Sequence, residues 1–279
     1  MTQRGREIGI LAVVWGLAAC GPAPRQPELP TPGEPHLSVL SYNLNFGLGG
    51  DPAGVEAIRR SFADLVLLQE TTPEWEEALR RELSDRYPHM VFRHCCRAGG
   101  LGVLSRFELD PREYIASDTG WFPAWRVLAS TPLGTLQLLD VHLHPAVSES
   151  GSVVSGYFTT PPLRRAEIER FFPALDPGLP TLVAGDFNEG RSGGAVGFLE
   201  ERGFRSALSQ FDAPSVTWRW DLGGDGIALE LDHILHDAAL EPLDCRPVPL
   251  GRSDHYPVYA VFRLRRTPAP VALSGRSTL

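Results

Sequence analysis

The chain has 279 residues, 43% of them hydrophobic, and a formal net charge of −8, which is enough for one well-buried α/β domain and too short for two large ones. It has no bulk basic surface to hold long nucleic acid by counterion release, although a nuclease needs a positive field only at its cleft. All 26 of its Lys and Arg positions are arginine, which together with the many Gly and Pro fits a GC-rich coding bias rather than a function.

Arg4 and Arg6 precede an apolar run from Ile8 to Ala19, too short to span a bilayer and the right length for the core of a signal peptide. The run ends Leu17-Ala18-Ala19-Cys20-Gly21, which looks like a bacterial lipobox. Residues 1–19 are therefore expected to be removed and Cys20 to become the acylated first residue of the mature chain. Several acyl chains on one residue give a stable anchor where a single chain is marginal. The expected location is the bacterial cell envelope, and Gly21, in place of an aspartate, points to the outer membrane of a diderm host. Residues 20–36, crowded with proline, read as an extended tether.

His36 to Leu44 alternates as a first strand with Asn43 near its end, and Asp51 to Phe62 carries Val55, Ile58 and Phe62 at helical spacing. Asp64 to Gln69 is the second strand, followed directly by Glu70. Thr72-Pro73-Glu74 then opens a helix to about Arg86, with a threonine cap, proline at the first position and acids in the first turn. Met90 to His94 and Leu101 to Ser105 are short strands joined by Cys95-Cys96-Arg97-Ala98-Gly99-Gly100. Three cysteines remain besides Cys20, so at most one disulfide forms, and Cys245 with Cys95 or Cys96 is the expected pairing. No Cys/His set with zinc spacing accompanies them.

Trp125 to Ser130 and Gly134 to His142 form a hairpin across Thr131-Pro132-Leu133-Gly134, which puts His142 and His144 on one face. The long stretch 145–162, with Val153, Val154, Tyr157 and Phe158 embedded in it, reads as a substrate-facing lid. Leu163 to Phe172 is a helix, Thr181 to Ala184 a strand, and Gly194 to Arg202 a helix. Ser215 to Trp220 follows as a strand, Gly223-Gly224-Asp225-Gly226 as a tight turn, and Leu229 to His236 as a strand carrying Asp232. Tyr256 to Leu264 is the last strand of a single domain over 37–264, and 265–279 is a loose tail.

The chemistry gathers where strands end. Leu182-Val183-Ala184-Gly185-Asp186-Phe187-Asn188 delivers an acid and an amide two residues apart on one face. Three other apolar runs end alike, in Gln69-Glu70, in Asp140-Val141-His142 and in Asp232-His233. Several strands placing acids and histidines at their C-terminal ends is what an α/β active site requires.

Seven segments carry a resemblance: Ser41-Tyr42-Asn43, Leu68-Gln69-Glu70, Gly102-Val103-Leu104-Ser105-Arg106, Val141-His142-Leu143, Gly185-Asp186-Phe187-Asn188, Leu231-Asp232-His233-Ile234-Leu235 and Ser253-Asp254-His255-Tyr256-Pro257-Val258. In this order the chain resembles the endonuclease/exonuclease/phosphatase superfamily from about Leu37 to Leu264. The resemblance implies a DNase I-like four-layer α/β sandwich, two packed mixed β-sheets flanked by helices. It also implies metal-dependent hydrolysis of phosphodiester or phosphomonoester bonds with Mg²⁺ or Mn²⁺.

By the same resemblance Glu70 is the principal metal carboxylate, with Asn43 and Asp254 beside it. His255 contacts the scissile phosphate and acts as acid/base, and Asp232 orients it. Asp186 activates or positions the attacking water, Asn188 holds a phosphate oxygen, His142 stabilises the phosphoryl group and Arg106 supports the site or touches phosphate. His144, His233 and His236 have no counterpart and read as packed polar residues. Asp232 is followed by His233, not by the basic or aromatic residue common in nucleases, so the substrate stays open between nucleic acid and a phospholipid headgroup. A monomer is expected. The competing class is a catalytically silent binding lipoprotein that keeps the fold.

Overall fold

The computed structural model describes residues 23–266 apart from 119, 148–150, 152–154, 157–158, 212–214 and 221–225. Its central strands, β1 (Leu37–Asn43), β2 (Leu65–Gln69) and β8 (Thr181–Asp186), are buried along their whole length, as strands covered on both faces must be. The first sheet runs β13 (Leu240–Pro247), β14 (Val258–Leu264), β1, β2, β4 (Leu101–Ser105) and β3 (His89–Arg93). The second runs β5 (Leu109–Ile115), β6 (Ala124–Thr131), β7 (Gly134–His142), β8, β12 (Asp232–His236) and β9 (Arg205–Ser206). Both are mixed: β1 and β2 are parallel, as are β7 and β8, while the remaining neighbours are antiparallel.

Alternation along each strand sorts the core into three layers. Between the sheets, Leu37, Val39, Leu65 and Leu67 pack with Leu136, Leu138, Leu182, Ala184 and Ile234. Outside the first sheet, Leu40, Tyr42, Val66 and Leu68 take helices α1 (Pro52–Ser61) and α2 (Pro73–Leu83) through Val55, Ile58, Trp75 and Leu79. Outside the second, Leu139, Val141, Val183 and Leu235 take α3 (Pro161–Phe171) and α4 (Gly194–Glu200) through Ile168, Phe171, Val196 and Leu199. This is the expected four-layer α/β sandwich. A short helix α5 (Leu208–Phe211) and a small ribbon of β10 (Trp218–Trp220) with β11 (Ile227–Leu229) complete the described chain.

Three strands lacked a sequence signal, one of them β9, which is only two residues long. β5 is a mostly exposed edge strand whose register shifts between Pro111 and Tyr114, and β13 is an edge strand irregular between Pro242 and Asp244, so neither keeps a clean alternation. Leu229 to His236 is not one strand: β11 pairs with β10, whereas β12 pairs with β8, and Glu230-Leu231 belongs to neither. The strand expected from Ser215 shortens to β10. The anticipated pairing of Cys245 is wrong. Cys95 is bonded to Cys96, and Cys245 is a buried thiol in the inter-sheet core whose pKa burial raises. The strand order explains this: Cys245 lies on one edge of the first sheet and Cys95-Cys96 follows the other, five strand spacings or roughly 24 Å apart, far beyond disulfide reach. Cys20, the apolar residues of the expected lid, most of the 223–226 turn and 267–279 lie outside the described residues.

Gly185 is the backbone position on which the site most depends. Its φ is +147°, and a Cβ there would sit 1.8 Å from the Val141 carbonyl oxygen of the neighbouring parallel strand. Gly185→Ala is expected to destabilise the fold by about 3 kcal/mol or more through strain and forced separation of β7 from β8. Chemical denaturation compares the two proteins, and a loss below about 1 kcal/mol contradicts the close approach.

Candidate active site

The alternation that fills the inter-sheet core also places the polar groups. Asn43, Gln69, Asp140, His142, Asp186 and Asp232 share inward parity with that core and begin where its apolar residues end. Register lines them up at one end: His142 opposite Asp186, Asp186 opposite Asp232, Asn43 opposite Gln69. Two hydrogen bonds then join the sheets, Asn43 Nδ2 to Asp186 Oδ2 at 3.1 Å and Gln69 Nε2 to Asp140 Oδ1 at 2.6 Å. Asp140 is fully buried, which pushes its carboxyl well above the usual range.

Asp186 Oδ2 is the hub of the cluster. Besides Asn43 it faces His142 Nε2 and His255 Nε2, each at 3.5 Å. The other nitrogen of His255, Nδ1, lies 2.9 and 3.1 Å from the two oxygens of Asp232. A ring with a carboxylate at each nitrogen satisfies both only as the doubly protonated imidazolium. Burial pushes the His255 pKa down, but the Asp232, Asp186 and Asp254 charges and the Asp232 hydrogen bond outweigh it and lift it to about 10. Burial raises Asp186 against the opposing pull of the histidines. His142 is held at Nδ1 by the Ala98 carbonyl at 3.1 Å and stacks on Phe122, ring centroids 4.2 Å apart. Its pKa is lowered by burial, with Asp186 pulling the other way. Since Nδ1 donates to a carbonyl, Nε2 donates to a phosphate only when the ring is charged.

Glu70 begins the loop after β2 with φ +59°, its Oε1 accepting from Asn43 Nδ2 at 3.0 Å and its Oε2 from the Phe46 amide at 2.9 Å. Burial raises its pKa. Asp254 accepts from Asn45 Nδ2 and from Trp218 Nε1, both at 2.9 Å. Burial works to raise its pKa, but the His255 charge and those two donors hold it below the ordinary value. Asn188, φ +51°, gives one amide hydrogen to the Leu143 carbonyl, and its backbone amide donates to Asp186 Oδ1 at 2.8 Å. With Asn45 at φ +62°, three site residues occupy left-handed conformations that side chains disfavour.

The structure brings together every expected site residue except two. Cys20 is outside the described chain. Arg106 is at the wrong end: it follows β4, whose last residue, Ser105, pairs with Leu65 at the start of β2, and its guanidinium binds Asp64 at 2.7 Å. An antiparallel partner of a strand that ends in the site must itself end away from it, so Arg106 supports the base of the sheet. Asn45 and Trp218 were missed. Asn45 had a signal, since it repeats the Asn43 side chain two residues on, whereas Trp218 reaches Asp254 through an isolated bridge to His255 that no local pattern announces. His233 and His236 are buried against the carbonyls of Glu189 and Asp237, and His144 against that of Pro145.

Ligand atoms of Asp186, Asp232 and His255 lie within 4.8 Å of one another, but Asp232 and His255 already satisfy each other. Glu70 and Asp254 are the carboxylates left over. Four acids against two histidines, with amide groups among them, form a hard oxygen-rich set that fits a divalent cation such as Mg²⁺ or Mn²⁺. Asn43 meets these acids through Nδ2, so its ligation of a cation requires the amide to turn over.

A four-layer sandwich with an acid–histidine cluster at the strand ends defines a hydrolase. The chain belongs to the Endonuclease/Exonuclease/phosphatase family, whose model matches residues 40–255. Solved structures share the fold. The endonuclease/exonuclease/phosphatase from Beutenbergia cavernae is 17% identical with TM-score 0.65, over 83% of this chain and 72% of that one. Truncated TDP2 of Caenorhabditis elegans is 17% identical with TM-score 0.60, over 82% and 98%. ANGEL2, described as a 2′,3′-cyclic phosphatase and solved with adenosine-2′,3′-vanadate, is 16% identical with TM-score 0.61, over 82% and 96%. No curated protein matches by sequence.

The Asp232–His255 contact predicts non-additive kinetics. Each single change to Ala should cut kcat by about 100-fold or more, and the double variant should lose little beyond His255→Ala, because paired groups act as one unit. Turnover of all three, measured with unfolding midpoints, decides it. Additive losses, or near-normal turnover in folded Asp232→Ala, contradict the pairing.

Proposed function

We propose that the protein is a metal-dependent phosphoesterase, hydrolysing phosphodiester or phosphomonoester bonds and tethered in the bacterial cell envelope through acylated Cys20. The observation that carries this is the His255 ring held between Asp232 and Asp186, with Glu70 joined to Asp186 through Asn43 and Asp254 next to His255 in the chain. When bound, a divalent cation held by Glu70 and Asp254, with Asn43 beside them, would stabilise charge on the phosphoryl oxygens as a Lewis acid.

The side chains supply the rest. His255 presents Nε2–H to a phosphoryl oxygen as a charged donor, aimed where negative charge develops. Asp232 keeps the ring oriented and charged. Asp186, desolvated and raised in pKa, sits beside Nε2 as the acceptor for the proton of an attacking water. Asn188, fixed by Leu143, lends its remaining N–H to the phosphate, and His142, whose pKa burial lowers, adds a second donor only in its protonated form. ANGEL2, described as a 2′,3′-cyclic phosphatase, shares the architecture, which supports phosphoryl chemistry on this frame. A silent binding role has no observation in its favour, since each expected acid and histidine of the cluster is in place.

Release of para-nitrophenol from bis(para-nitrophenyl) phosphate tests this reading. Activity should appear with Mg²⁺ or Mn²⁺, disappear with EDTA and return when metal is restored. Glu70→Gln should lower kcat/KM by about 100-fold or more and raise the metal concentration needed for half-maximal rate. Unchanged turnover in EDTA, or a metal requirement that Glu70→Gln leaves alone, contradicts it.

A further inference from the structure

The Pro-rich segment ahead of β1 reads in the sequence as an extended tether. It has no helix or strand, yet it is fastened to the domain along the edge strand β13. The Arg25 amide binds the Gln210 carbonyl at 2.7 Å, and the Glu28 amide binds the Leu243 carbonyl at 2.8 Å. Arg25 contacts Glu241 and lies over the Phe211 ring, its guanidinium carbon 5.3 Å from the centroid. Arg263 gathers Glu28, Glu34 and Glu241, and Arg266 binds Glu34. Each exposed pair is weak alone, but backbone bonds and a branched ion network along an otherwise open edge hold the segment as a strap.

These fastenings are all at one end of the molecule. Leu240 pairs with Leu264 and Leu37 with Phe262, whereas Ser41 pairs with Val258 and leads on to Asn43. Glu241, Leu243 and Arg263 are therefore at the base of the first sheet, a strand length or roughly 20 Å from the catalytic mouth. Arg25 is five residue steps from Cys20, a span of at most about 18 Å when fully extended. The base also carries the two most exposed large apolar side chains among the described residues, Leu29 at 94% and Phe62 at 69%, which line one cavity with Ser38 and Asp64, and exposed Leu264 ends β14 at the same end of the sheet.

Building on the tethering reading above, we infer that residues 23–36 strap the base of the domain against the bilayer that holds Cys20, so that the catalytic mouth opens away from it and takes a water-soluble phosphoester rather than a headgroup of the anchoring leaflet. The competing surface is the mouth itself, where Phe46, Trp121, Trp220 and Ile227 are 41–50% exposed. If they entered the membrane, a lipid headgroup would be the substrate.

Energy transfer from the acylated full-length protein to acceptor-labelled lipid in phosphatidylethanolamine/phosphatidylglycerol vesicles separates the two. Dyes are placed on Ala238→Cys, in the exposed turn before β13, or on Arg252→Cys, exposed beside the mouth. The native thiols do not compete, Cys95 and Cys96 being bonded and Cys245 buried. Transfer should be at least twofold more efficient from Ala238→Cys. Inserting about 20 Gly/Ser residues after Pro22 should erase the difference, since such a linker averages about 25 Å. In the same vesicles, soluble bis(para-nitrophenyl) phosphate should be hydrolysed within about twofold of the detergent-solubilised rate, with no headgroup release. Stronger transfer from Arg252→Cys, or headgroup release from the vesicle's own lipid, overturns the proposal. Absence of transfer from both positions also overturns it, by removing the membrane. Absence of all hydrolysis with the base still nearer the lipid refutes the enzymatic reading while leaving the orientation standing.

Discussion

His255 sits between two carboxylates, Asp232 at Nδ1 and Asp186 facing Nε2, and the rest of the site is arranged to make that possible. A buried imidazolium is costly, because low-dielectric surroundings disfavour the charged form. Here Asp232 belongs to β12 and Asp186 to its neighbour β8, in direct register, so the sheet itself fixes the two acids at the spacing of an imidazole. The sign of the linkage follows. A histidine whose pKa is raised on folding adds stability fully below its unfolded value near 6.5 and loses it as pH rises towards about 10. At neutral pH the clamp is closed and the ring is a donor.

The clamp needs both sheets. Asn43 comes from the first and binds Asp186 of the second, while Gln69 and Asp140 repeat the bridge deeper between them. Strand parity makes this economical: the same inward faces carry Leu and Val through the core and polar groups at its end, so packing the sheets assembles the site. The backbone absorbs the remaining geometry. Gly185 lets β8 approach β7, and Asn45, Glu70 and Asn188 accept left-handed conformations just beyond the strand ends. Strain held at a site by surrounding structure is a familiar form of preorganisation.

Much of this was legible in the sequence because the central strands are short apolar runs ending in acids and histidines, and because Asp51 and Thr72 announce helix starts with side-chain caps. The edges were not. β5 and β13 carry prolines and irregular register, and β11 and β12 divide the stretch to His236 whose apolar pattern looks continuous. Arg106 matched a family segment in order, but its strand runs away from the site. The Cys95–Cys96 bond and the isolation of Cys245 depend on strand order, which spacing does not encode. Asn45 shares the i, i+2 logic of the strand ends, and that logic extended one step further would have found it.

The ionisation of His255 tests the account most directly. In metal-free protein with its histidine rings labelled by nitrogen-15, the His255 resonances, assigned by comparison with His255→Gln, are followed from about pH 5 to 11. The account predicts a ring that stays doubly protonated through neutral pH and titrates near 10, moving down when Asp232 becomes Asn. A His255 that titrates at or below its ordinary 6.5, or that ignores Asp232→Asn, contradicts the clamp.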